Sequence, residues 1–144
     1  FLKASEIEIK RGGISYSIDT IKAFRKRFEN VYFIIGMDAF SEINTWHDFQ
    51  ELFHHANFIV MIRAATGLMS DDLTFPSEIK DRFKRINRFT YEHMSGKRVY
   101  LNNITQLDIS STRIRGYAKD GRSIKYLVPP SVEKYIAERG LYTT

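Results

Sequence analysis

Three short apolar runs constrain this chain more than anything else in it. Val31-Tyr32-Phe33-Ile34-Ile35, Phe58-Ile59-Val60-Met61-Ile62 and Arg98-Val99-Tyr100-Leu101-Asn102-Asn103-Ile104 are of strand length and rich in β-branched and aromatic residues. The first is nearly unbroken in its apolar character, which suits a central parallel strand covered on both faces. The other two read as buried strands of the same sheet. Helical patterns separate them. Ser17 is a good N-cap for a helix over 15–28, where Ile18, Ile21, Phe24 and Phe28 form one buried stripe and the last turn is basic. Asn44-Thr45-Trp46-His47-Asp48-Phe49 leads into a helix through about Ala56, and Ser77 caps another through about Phe89. Pro129-Pro130-Ser131 opens a last helix, closed by Gly140.

Punctuation fills the gaps. Glu6-Ile7-Glu8-Ile9 alternates charged and apolar residues as a short strand would, and Gly12-Gly13 ends it. Residues 64–76 are small and polar and read as a loop, 92–96 turn the chain into the third strand, and Asp120-Gly121 is a further turn. The alternation predicts an α/β chain with a doubly wound parallel sheet, in one domain spanning 1–144.

Such a sheet collects function outside the carboxyl ends of its strands. Gly36-Met37-Asp38 follows the first strand, Arg63 closes the second, and Ile109-Ser110-Ser111-Thr112-Arg113-Ile114-Arg115 follows the third. In that heptad a hydroxyl stands ready to cap a helix start, while further hydroxyls, free N–H groups and a guanidinium face outward. These are the parts of a phosphate site. A formal charge of +5 suits an anionic ligand, yet the basic residues are dispersed and no tract calls for nucleic acid. The chain has no cysteine, which excludes disulfides and thiolate chemistry and fits a reducing cytoplasm. No apolar run approaches the roughly 20 residues that span a bilayer, so nothing directs the chain to a membrane. His54, His55 and His93 stand apart from any carboxylate or histidine at metal spacing and read as surface or structural residues, with no metal site.

Ile109-Ser110-Ser111-Thr112-x-Ile114-Arg115 resembles the C-terminal phosphate motif of the nucleotidyltransferase superfamily, in particular of bacterial nicotinate-nucleotide adenylyltransferases. Two further segments look like that family's. Gly36-Met37-Asp38 with Trp46 resembles its G-x-D…W segment, and Ser15-Tyr16-Ser17-Ile18-Asp19-Thr20 resembles S-Y-T-x-x-T with Ser for Thr at 17. The resemblance implies a Rossmann-like nucleotidyltransferase fold and transfer of an adenylyl group from ATP, with Mg2+, to nicotinate mononucleotide in NAD biosynthesis. It further implies that Ser110, Ser111, Thr112 and Arg115 hold ATP phosphates. Trp46 would stack on the pyridine while the amides of Ser17 and His47 bind its carboxylate. Asp38 would organise a ribose or the nucleotide, and Arg63 could reach a phosphate. Arg113 occupies the variable position and receives no role.

Plainer readings stand beside these: Trp46 as core packing, Asp38 as the cap of the next helix, Tyr16 and Tyr126 as core. A related enzyme acting on nicotinamide mononucleotide or phosphopantetheine, or a non-catalytic nucleotide- or RNA-binding domain, would share the fold. The family's G-G-x-F-[ND]-P-x-H-x-G-H type segment does not occur in these residues, so no catalytic histidine is assigned. The expectation is a sequence matching the later two-thirds of a full-length enzyme, N-terminally incomplete. Alone it should be nearly inactive, with an uncovered apolar edge that favours self-association into a homo-oligomer.

Overall fold

The three apolar runs become parallel neighbours. The structure, a computed structural model, describes residues 2–63, 73–105 and 109–143. Its helices are α1 Ile7–Arg11, α2 Ser17–Arg25, α3 Met37–Ser41, α4 Phe49–His55, α5 Ser111–Lys119 and α6 Pro130–Glu138, and its strands β1 Tyr32–Gly36, β2 Asn57–Arg63, β3 Phe83–Asn87, β4 Thr90–His93 and β5 Arg98–Ile104. The chain forms two units, Phe1–Gln106 and Leu107–Thr144. The first holds one sheet of order β1-β2-β5-β4-β3, in which β1, β2 and β5 are parallel while β4 and β3 add antiparallel.

One buried polar side chain fixes the start of the parallel core. Asn57 is 6% exposed; its N–H donates to the Val31 carbonyl at 2.9 Å, and its Oδ1 accepts from the Arg98 N–H at 2.9 Å. A single residue thus ties the entries of all three strands, with its buried polar groups satisfied. Phe33 and Ile35, Phe58, Val60 and Ile62, and Val99 and Leu101 face the same way, and Ile18 and Ile21 of α2, Phe40 of α3 and Leu52 and Phe53 of α4 pack onto them. The centre is aromatic. Phe53 meets Phe58 at 4.8 Å and stands edge-on to Phe83 at 5.1 Å, and Phe83 stacks on Phe75 at 4.0 Å. Offset and edge-to-face rings add to the area they bury.

Four sequence expectations need correcting. Residues 7–11 are a helix, not a strand: Lys10 pairs with Glu6 at 2.9 Å, and the Thr20 hydroxyl donates to Glu8 at 2.6 Å and accepts from Arg11 at 3.2 Å, so the two charges must lie one helical turn apart. Ser17 is the first helical residue of α2 rather than its cap, a place taken by Tyr16 without a side-chain bond; the helix stops at Arg25 and leaves Phe28 56% exposed. The helix expected over 77–89 is a turn followed by the β3–β4 hairpin. Asn87 closes it by accepting from the Phe89 N–H at 2.9 Å, and the core contacts of Phe83 outweigh local helical preference. Finally, among the described residues β1 lies at one end of the sheet, with Tyr32 53% and Ile34 61% exposed on the face away from the core.

The second unit contains α5 and α6. Gly121 at φ 66° makes the expected turn after α5, and Gly140 at φ 57° ends α6, a left-handed position suited to glycine. Ile124 is its buried anchor at 6% exposure, and the Arg122 guanidinium lies 4.2 Å from the Tyr117 ring.

His93 is the one buried imidazole of the first unit's described core. It is 2% exposed, its Nδ1 sits 2.9 Å from the Ser95 hydroxyl, which donates to the Phe53 carbonyl, and its Nε2 has no partner among the described residues. Burial first, then the neighbouring His54 and Arg82, lower its pKa from 6.5 to about 4. Folded His93 is neutral where the unfolded residue is already charged, so its contribution is complete above pH 6.5 and is lost as pH falls toward 4. Urea unfolding across that window should show a loss on the order of 2–3 kcal/mol. His93→Gln should flatten the slope, and an unchanged slope in that variant would assign the acid sensitivity elsewhere.

Candidate functional site

The first unit brings two of the motif segments together. Gly36 ends β1 and serves as the N-cap of α3, which places Asp38 in the first turn of that helix. The Asp38 carboxylate does not cap the helix; it is exposed and forms no hydrogen bond or ion pair among the described residues. After α3, a 3-10 turn over Ile43–Thr45 delivers Trp46, whose N–H donates to the Ile43 carbonyl at 3.0 Å. Trp46 is half-buried, with its ring edge-on to Phe33 at 6.0 Å between centroids. Packing and a solvent-facing surface therefore coexist in this one indole. Asp48 follows in the left-handed region, φ 49°, and the backbone reversal there starts α4.

His47 lies between them and meets the other segment. Its ring stacks on Tyr16 at 4.1 Å and 27° between planes. Tyr16 caps α2 by backbone geometry alone, so the Ser17 N–H stands in the unfilled first turn of that helix. Among the described residues, neither the Ser17 nor the His47 N–H donates to a protein acceptor. Among the described residues, two backbone donors from separate segments thus lack a protein acceptor, one at His47 itself and one at the residue after Tyr16. Tyr16, which the sequence leaves open between core and pocket, is 37% exposed and no core residue.

In the second unit the heptad folds as the capping argument anticipated. Ser110 is extended, φ −136° and ψ 152°, and its hydroxyl accepts from the Arg113 N–H at 3.2 Å. The Ser111 and Thr112 amides occupy the helix start, where no intrahelical acceptor exists. Ser110, Ser111, Thr112 and Arg115 are all exposed, and the Arg115 guanidinium turns back along α5 to donate to Thr112 Oγ1 at 3.3 Å. Hydroxyls, orphan amides and a cation therefore share the positive end of one helix. Arg113 is drawn to the Tyr117 hydroxyl at 2.9 Å instead.

Arg63 closes β2 opposite Ile104, with its side chain outside the described residues, as is most of the 64–76 loop. Among the described residues no group of three or more His, Asp or Glu side chains could hold a metal ion. No helix there is long and apolar enough to cross a membrane.

Residues 1–117 match the cytidylyltransferase-like family model. A probable nicotinate-nucleotide adenylyltransferase of Desulfatibacillum aliphaticivorans is 38% identical over 98% of this chain and 68% of its own length, and one from Pelobacter propionicus is 42% identical over 96% and 66%. The chain belongs to the cytidylyltransferase-like family, among the nicotinate-nucleotide adenylyltransferases. It spans about two-thirds of the length of these relatives. The fold likeness extends to the nicotinic acid mononucleotide adenylyltransferase of Plasmodium falciparum: complexed with APC, that structure gives a TM-score of 0.57 at 21% identity, covering 92% of this chain and 60% of the other. The same enzyme complexed with NaAD gives 0.55 at 22%. The nucleotidyltransferase Rossmann-like fold is therefore the family's, with the β3–β4 hairpin accounting for the antiparallel half of the sheet order seen here.

Replacing Ser110 with Ala removes the side-chain cap of α5 and should cost about 1 kcal/mol locally. Amide exchange at Arg113 should then accelerate several-fold, and exchange at the wild-type rate would show that the bond does not persist in solution.

Proposed function

We propose that this chain carries the acceptor pocket and part of the ATP grip of an enzyme that transfers an adenylyl group from ATP to nicotinate mononucleotide, giving deamido-NAD and pyrophosphate. The observation that carries this reading is the ring stack of Tyr16 on His47 at 4.1 Å, which joins the residue before Ser17 to the residue after Trp46. A pyridine carboxylate needs a flat aromatic face and N–H donors, and this corner of the first unit offers both. The relatives' names support the same acceptor.

The mononucleotide's phosphate oxygen attacks the α-phosphorus of ATP in line. One P–O bond forms as the bond to the departing pyrophosphate breaks, and no covalent intermediate with the protein is required. Trp46 holds the pyridine ring, and the Ser17 and His47 amides hold its carboxylate. Asp38, whose carboxylate has no partner among the described residues, accepts from a ribose hydroxyl. Ser110, Ser111, Thr112 and Arg115 take the ATP phosphates, and Arg63 is a further phosphate contact. Each role is positioning or charge neutralisation, which suffices for this chemistry. Mg2+ would accompany ATP, held through substrate phosphates and water, where it would neutralise developing charge.

Trp46 is the chain's single tryptophan, so its fluorescence reports the pocket directly. Nicotinate mononucleotide should quench it at lower concentration than nicotinamide mononucleotide does, and the absence of any response to either would remove the reading. Arg115→Ala should weaken ATP binding by about 1.5–3 kcal/mol, the range for a hydrogen bond to a charged group. Equal ATP affinity in an equilibrium titration would take Arg115 out of the site.

A further inference from the structure

The positive charge of the chain is not spread evenly over the fold. Residues 80–98, from the turn before β3 to the first residue of β5, carry seven Lys and Arg against two Asp and Glu, a surplus of five that equals the formal net charge of the whole chain. Glu92 is already engaged by Arg98 at 2.9 Å. Lys80 and Lys84 are exposed, and among the described residues neither forms an ion pair or a side-chain hydrogen bond. A lysine on the last strand of a sheet guards it against pairing with a like strand, which accounts for Lys84. It does not account for the hollow beside it. Phe83, Arg85 and Tyr91 share the core-side face of the hairpin, and with Phe75, Lys80 and Asp81 they line a cavity of about 540 Å3. The buried rings of Phe75 and Tyr91 make its floor, while the exposed Lys80, Asp81 and Arg85 make its rim, with the Arg85 guanidinium 5.9 Å from the Tyr91 ring. Past the end of β3, the Phe89 ring is 40% exposed beside the Arg88 guanidinium at 5.4 Å. Among the described residues β3 closes the sheet at the end opposite β1, four strand spacings or roughly 19 Å from the strand that leads to Asp38 and Trp46.

We propose that the β3–β4 hairpin is a docking surface for a single-stranded nucleic acid, with one base seated in the hollow over Phe75 and Tyr91 and the neighbouring phosphates on Lys80, Arg85 and Lys84. Lys84 lies on the opposite face of β3 from Arg85, so the strand crosses the sheet edge between them. Cations interleaved with rings are what an unpaired strand requires: the charges take the phosphates, and the rings take a base whatever its identity. The cavity has the size of a small-ligand site, for which about 300–1,000 Å3 is usual. Asp81 on its rim can accept from a base amino group or a sugar hydroxyl. Other occupants fit less well. An acidic peptide would use the cations and leave the ring floor empty, a duplex keeps its bases stacked and out of reach, and a second copy of the chain brings the same surplus of five and is repelled. This surface is independent of the acceptor pocket, and neither reading needs the other.

The test titrates the 144-residue chain into a fluorescein-labelled single-stranded RNA of about 12 nucleotides and follows anisotropy between roughly 50 and 200 mM KCl. Binding should weaken with salt, the logarithmic slope gaining about −0.7 for each phosphate neutralised. Replacing two exposed cations together, Lys80→Gln with Lys84→Gln, should shallow that slope by about 1.4 and weaken binding about twentyfold near 0.1 M salt, with the thermal melting of the protein unchanged. An abasic strand of the same length should bind the unsubstituted chain about fivefold or more weakly, since no base fills the hollow, and a duplex of that length should also bind less tightly than the single strand. No binding at the lowest salt, or the full slope in the folded double variant, would overturn the proposal. So would equal affinity for the abasic strand or the duplex, which leaves charge alone at work, and so would displacement by polyglutamate as effective as by unlabelled RNA, which makes the surface a site for acidic protein. Displacement of the RNA by nicotinate mononucleotide or ATP would place the strand in the nucleotide sites and remove the hairpin from the account.

Discussion

Parallel pairing of β1, β2 and β5 is the constraint on which the first unit depends. Parallel strands need long crossovers, and here those crossovers carry α3 and α4 on one side of β2 and the β3–β4 hairpin on the other. Asn57 makes the register specific by bonding to Val31 and Arg98 at once. A slip of one residue on either side would turn Phe58, Val60 and Ile62 out of the aromatic core and bring Ile59 and Met61 in. With register fixed, the strand exits follow: Gly36 leads straight into α3, and Arg63 lies opposite Ile104. The pocket residues near Asp38 and Trp46 inherit their places from that geometry.

The described helices of the first unit cover one face of its sheet, while Tyr32 and Ile34 stay open on the other. Sequence could not distinguish these situations. An unbroken apolar run such as 31–35 is what a strand covered on both faces needs, and the residues carry no mark of whether the second cover is present. Similar ambiguity misdirected the reading of 6–9 and 77–89. In the first, charge and apolar alternation fit period two, but the partners of Glu8 and Arg11 turned out to be one threonine on α2, which only a helical turn satisfies. In the second, Phe83 was drawn into the ring cluster of Phe53 and Phe75, a contact separated from it by many residues and invisible to local periodicity.

What sequence did reveal well was local and chemical. Ser110 capping α5, Gly140 ending α6 and the three strand runs all follow from short-range rules of backbone donors, left-handed positions and apolar patterning. The motif residues were visible as types and spacings, yet not as a site. Nothing in the spacing of Tyr16 and His47 says that their rings meet, because that contact depends on where β1 and α2 send their neighbouring turns. A signal existed only in retrospect: each ring is adjacent in sequence to a residue already assigned to the acceptor.

The two proposed anion-binding devices differ in how much of their order they can supply. In α5 the donors are prearranged by the helix itself, since capping by Ser110 fixes the first turn and leaves the Ser111 and Thr112 amides directed outward. A phosphate is large, highly charged and offers several oxygens, so a helix start tolerates some misplacement and still binds. The acceptor pocket has a harder task. In the proposed reading it grips a single carboxylate with amides from two segments, and misalignment there costs hydrogen-bond geometry. The core beneath Trp46 holds both segments, through Ile18 and Ile21 of α2 and through Ile43, Leu52 and Phe53 on the other side. The exposed ring contact of Tyr16 with His47 adds to that packing at the surface. It does so without the desolvation cost that burying another polar residue there would bring.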